Sequence, residues 1–140
     1  MAAGMPVILM DPSTDLPSPS SSQVATTAGG QSSVSRIATA DTNAQVLKAS
    51  AGRVFGWAVA NLTASPKFVK LYNKASAPNP AADVPVLRIV VPANGVAAFH
   101  TEKGFAGFTQ GIAMLATGAL ADTDATALAA GDIVANVFYG

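Results

Sequence analysis

The stretch Ser65–Gly95, SPKFVKLYNKASAPNPAADVPVLRIVVPANG, decides how the rest of the chain is read. Two runs of alternating character flank an Ala/Pro/Asn connection. In KFVKLYNK, Val69 and Leu71 share one face while Phe68, Lys70 and Tyr72 share the other. In VPVLRIVV, Leu87, Ile89 and Val91 face one way and Val86, Arg88 and Val90 the other. Period-two alternation bounded by Pro, Asn and Gly predicts two strands, and Asn94-Gly95 predicts a hairpin turn after the second. The outward set of the first strand is too apolar for open solvent. Two things can satisfy it: lysine stems lying over apolar surface with their heads in water, or contact with another subunit.

The same pattern extends in both directions. SVSRIAT and AQVLKA read as the first two strands, and Ala51-Gly52 marks a turn. RVFGWAVANL places Phe55, Trp57 and Val59 on one face, with Gly56 marking a close backbone approach or a bulge. VAAFH follows the Asn94-Gly95 turn, GFAGF and IAMLATG supply one or two more strands, and DIVANVFY is the last. ADTDATALAAGD predicts one short helical turn, capped by Asp122 or Thr123 and stopped by Gly131. About eight short strands at this spacing predict a single all-β domain over residues 33–140, a β-sandwich or jelly roll. Its predicted core includes Phe55, Trp57, Val69, Leu71, Leu87, Ile89 and Val137.

Residues 1–32 have a different composition. DPSTDLPSPSSSQ is rich in Ser and Pro and buries too little apolar surface to offset chain entropy. It predicts an extended N-terminal arm, with prolines at 6, 12, 17 and 19 favouring extended chain. Val7, Ile8, Leu9 and Met10 are its apolar anchor toward a partner. MAAGMPVILM lacks the basic start of a secretory signal, and GFAGFTQGIAMLATGALA is too interrupted for a membrane span.

Charge narrows the partners. Lys plus Arg equals Asp plus Glu, so the formal net charge is zero, which argues against a nucleic-acid surface. Only 11% of the 140 residues are charged, against roughly 25% in an average protein. That poverty favours association. The expected self-association face comprises Phe68, Tyr72, Val90 and Phe138, and a homotrimer is the expected closed form.

The search for chemistry returns little. There is no Cys, hence no thiolate nucleophile or thiolate metal ligand, and the single His, His100, has no G-x-S-x-G elbow to serve. His100 reads as a polar residue at a strand end. Asp122, Asp124 and Asp132 begin a D-x-D pattern, but the Gly and the closing Glu of a calcium loop are missing, and turn and cap roles fit them better. No Walker loop or dinucleotide fingerprint appears. The sequence therefore names no catalytic, cofactor-binding or metal-ligating residue.

One resemblance adds to this. FGWAVANLTASPKFVKLYNKASAPNPAADVPVLRIVVPANG carries a G-W-x-x-x-N core at Gly56, Trp57 and Asn61, then KFVKLYNKA-x-AP, then D-x-PVL-x-I. With the closing GIAMLATGALADTDATALAAGDIVANVFY, it resembles small virion proteins of tailed phages and prophages over about residues 53–140. The shared motifs are structural, and the arm has no counterpart in them. The resemblance implies a non-enzymatic virion protein, made in the host cytoplasm, that decorates the phage head by binding the major capsid protein or other virion proteins. A carbohydrate- or receptor-binding module of a tail, fibre or surface protein is the alternative, and a small hydrolase is the third possibility.

Overall fold

A computed structural model describes residues 31–140. The arm and its anchor Val7, Ile8, Leu9 and Met10 lie outside the described residues. Eight strands follow in order: β1 (Ser32–Ile37), β2 (Gln45–Lys48), β3 (Gly52–Asn61), β4 (Lys67–Tyr72), β5 (Leu87–Val91), β6 (Val96–Phe108), β7 (Ile112–Thr117) and β8 (Ile133–Tyr139). They form two antiparallel four-stranded sheets, β1-β8-β3-β6 and β2-β7-β4-β5. Strands one and eight, two and seven, three and six, four and five are neighbours, as in a long hairpin rolled across two layers. The chain is an all-β sandwich, and its strand order is that of a jelly roll.

The core lies between the sheets. Val54, Val59, Ala135 and Val137 from the first sheet meet Val69, Leu71, Ile89, Val91, Ile112 and Met114 from the second. Each such aliphatic side chain taken from water contributes roughly 1.5–3 kcal/mol. The alternation read for β4 and β5 holds: Val69, Leu71, Ile89 and Val91 are buried, Leu87 packs against them, and Val86 and Val90 face out.

Asn61 ties the layers together. Its amide Nδ2 donates to Ser65 O, Val91 O and Pro92 O, and its Oδ1 accepts from the Thr63 backbone N–H and hydroxyl. On the opposite side of the sandwich, Arg36 of β1 reaches Gln45 of β2 (2.8 Å) and Asn43 (3.0 Å), closing that flank.

Four expectations change. The register of β3 shifts between Val54 and Gly56, so Val54 takes the core position expected of Phe55, and Phe55 lies half-buried against Gly104. Asn94-Gly95 does turn the chain, with Asn94 at φ 51°, but β5 and β6 belong to different sheets, so it joins two layers instead of closing a hairpin. VAAFH and GFAGF are parts of one 13-residue strand, β6, whose residues 101–104 arch out of register with β3. No helix occurs among the described residues: the segment 118–131 is bends, short turns and irregular chain, with Asp124 and Asp132 bonded to nearby backbone N–H groups.

Gly56 fulfils both roles suggested for it. It sits at the β3 bulge, and a methyl group there would overlap the Phe99 carbonyl on β6.

Candidate functional site

The open flank between the edge strands β5 and β6 holds the most developed concavity. It is a groove of about 550 Å³ with Trp57, Phe99 and Phe105 along one wall and Ile89, Val90 and Pro92 along the other. Local pairing explains its floor. Trp57 and Phe99 are direct cross-strand partners on the inward face of the first sheet. Trp57 is half-buried against the core, and Phe105 stacks on it, while Phe99 is exposed. The ring centroids of Trp57 lie 5.4 Å from Phe99 and 5.9 Å from Phe105. Such pairs are worth about 0.5–1.5 kcal/mol beyond their buried area.

Three exposed apolar side chains line it: Val90, Val96 and Phe99 are 53%, 63% and 48% exposed, while Ile37, Leu62, Val84 and Leu120 are exposed elsewhere. Val86 and Gly107 approach each other near the far end of the same flank. Arg88 is the single formally charged residue of the lining. It forms a two-pronged bond to Asp122, at 2.7 Å and 2.6 Å. That bond raises the guanidinium pKa and holds the Asp122 carboxyl below its usual range. The groove thus presents aromatic and aliphatic surface with its one charge already paired. Its side chains include no acid–base pair and no nucleophile, so the arrangement suits docking by contact.

The predicted association residues do not converge. Phe68 and Val90 are paired neighbours on the outer face of the second sheet, whereas Phe138 lies on the outer face of the first. Tyr72 is only 1% exposed, so it is not available as an open contact. Its hydroxyl is buried without a hydrogen-bond partner among the described residues. Burial, with the charges of Asp122 and Asp83 nearby, pushes its pKa up to about 12.

Lys70 departs from the expected lysine behaviour as well. It is fully buried, and its Nζ donates to Ala121 O at 2.6 Å. Burial lowers its pKa, opposed by Asp124 and Asp122. The segment around Ala121 and Asp122 therefore folds back over β4 and is latched to β5 through Arg88. The apolar outer face of β4 is covered in part by the chain itself. Lys67 and Lys74 keep partly exposed heads, paired with Asp132 (3.8 Å) and Asp83 respectively.

The remaining candidates are dispersed. His100 is exposed on β6 opposite Gly56. Asp122, Asp124 and Asp132 diverge: the first holds Arg88, the second accepts from Ala119 N and Thr126, and the third accepts from Ala129 N. Among the described residues, no three His, Cys, Asp or Glu side chains come together. The sequence reading missed the groove because alternation assigned Trp57 to the core. The Phe in VAAFH, a run without formal charge, was the available signal.

Comparison of the chain with protein-family models, with curated proteins and with solved structures gives no match.

Proposed function

We propose that this chain is a non-enzymatic structural protein of a phage virion, a decoration protein that binds the head through the major capsid protein or its neighbours. The observation that carries the reading is the exposed apolar surface around Trp57, Val90, Val96 and Phe99, which has docking character and no reactive group. The likeness of residues 53–140 to tailed-phage virion proteins supports it. So, by analogy, does the jelly-roll strand order, an architecture common among viral capsid domains. In this reading the arm is the tether. Thirty extended residues span up to ~100 Å, and Val7, Ile8, Leu9 and Met10 anchor the far end on a capsid neighbour. Many copies multiply a weak contact. The experiment adds the purified chain, and a version starting at Ser33, to heads assembled without it. Co-sedimentation of the full chain alone supports the tether. Equal binding of both versions moves the contact to the sandwich, and binding of neither removes the decoration role.

One observation favours a second reading. Half-buried Trp57 and exposed Phe99 line an open groove, and accessible aromatic faces can stack on a sugar ring. That would make the chain a glycan- or receptor-binding module. Saturable binding on a glycan array, lost in Trp57→Ala while the fold persists, would favour it.

A further inference from the structure

The sandwich has four edge strands, and three of them carry guards against pairing with another chain. β2 is four residues long, has a register shift and carries Lys48. β5 is five residues long, lies between Pro85 and Pro92 and carries the latched Arg88. β1 carries Arg36, whose side chain crosses to Gln45. Short length, charge, proline and bulges are the usual devices that keep a sheet edge from templating a neighbour.

β6 is guarded over only part of its length. Residues 101–104 arch away, with Glu102, Lys103 and a Gly104 at φ 75°. Before them, Val96, Ala97, Ala98, Phe99 and His100 run in unbroken register with β3, with no proline and no formal charge. Four of these five residues are exposed, and Ala97 is half-buried.

We propose that the Val96–His100 edge of β6 pairs antiparallel with the same edge of a second copy of this chain, about a two-fold axis at Ala98, joining two four-stranded sheets into one of eight. The residues are self-complementary in this register. Ala98 meets Ala98 of the second copy, and each Phe99 lies opposite an alanine, Ala97, so large faces small on the groove side. Val96 lies opposite His100 on the outer side, and the stretch brings no like charges together. The zero net charge of the chain adds no long-range repulsion between copies. The paired length is about 17 Å, and the area it covers is well below the ~800 Å² per partner of a standard interface. The contact is therefore weak in solution and gains from many copies in one array. The paired edge shares Val96 and Phe99 with the groove surface, so a copy paired here and a partner docked on that surface compete.

The absence of Cys makes the test direct. Opposed Cα atoms of an antiparallel pair are about 4.5–5.5 Å apart, within disulfide range. Ala98→Cys should form a disulfide-linked dimer on mild oxidation at least about tenfold faster than Ala125→Cys, an exposed control on the 118–131 segment. Ala98→Lys, on the solvent side of the sheet, should keep the parent's melting temperature. It should also abolish the doubled mass that the parent shows by sedimentation equilibrium near about 0.5 mM. Crosslinking of Ala98→Cys no faster than the control overturns the proposal, whatever mass sedimentation finds. So does a dimer that survives Ala98→Lys.

Discussion

Replacing Asn61 with alanine is the sharpest test of how the two layers are joined. The residue is 1% exposed and makes five hydrogen bonds, to Ser65, Thr63, Val91 and Pro92. The bond to Val91 O is fully buried, so that carbonyl loses its Asn61 partner, at a cost of about 1–3 kcal/mol. The others are partly exposed, and water replaces part of them, leaving a net loss of about 0.5 kcal/mol or more each. The total is about 3–5 kcal/mol. In urea, with a slope of about 1.5 kcal/mol/M for a domain of this size, the midpoint should fall by about 2–3 M. Asn61→Asp sharpens the reasoning, because it keeps the acceptor for Thr63 but turns a carboxylate toward three carbonyls. Its folded-state pKa is then raised above the unfolded value. The variant is best tolerated below about pH 4 and loses stability as pH rises through the folded pKa. A loss under about 1 kcal/mol for Asn61→Ala, or an Asp variant that gains stability as pH rises, would refute this account of the site.

Gly56→Ala should disrupt the β3–β6 pairing by about 2 kcal/mol or more, since its methyl collides with the rigid Phe99 backbone; thermal denaturation within about 2 °C of the parent would contradict it. Tyr72→Phe removes a hydroxyl that has no partner among the described residues, so stability should hold or rise by up to about 1 kcal/mol. In the parent, spectrophotometric titration should place the Tyr72 phenol at about 12, so stability from the neutral phenol is present below pH 10.0 and lost as pH climbs through about 12. Titration at 10.0 in the folded parent would be the contrary result. Asp122→Asn should unlatch the segment over Lys70, seen as reduced hydrogen-exchange protection of residues 119–124 at neutral pH. Because the Asp122 pKa is depressed, the parent keeps the latch above 3.8 and loses it as pH falls through the folded value. Identical protection in both proteins at neutral pH counts against the latch.

Alternation made β4, β5 and β8 legible, because the members of each inward set obey a local rule that needs no partner. The same rule failed at Phe55, where a bulge in β3 resets the count and hands the core to Val54. It failed again at Lys70, since binary patterning places every lysine in water and cannot see a loop 51 residues away arriving to accept its hydrogen bond. Asn94-Gly95 showed the turn, but which sheet each flanking strand joins depends on contacts made far along the chain. The acidic residues of ADTDATALAAGD suit both a helix cap and a run of side-chain-to-backbone turns, and long-range anchoring of Asp122 on Arg88 favours the second. The groove was half legible: Trp57 does face inward with its period-two neighbours, but that β5 and β6 are edge strands of different sheets flanking it is set by the three-dimensional fold.

The proposed decoration role is tested most directly by a reconstruction of an intact phage particle assembled in the presence of this chain. The account predicts density for the eight-stranded sandwich on the outside of the head, with the N-terminal segment running onto the major capsid protein. A particle that lacks the sandwich altogether, or carries it only at the tail tip with the Trp57 groove turned toward the host surface, would contradict it.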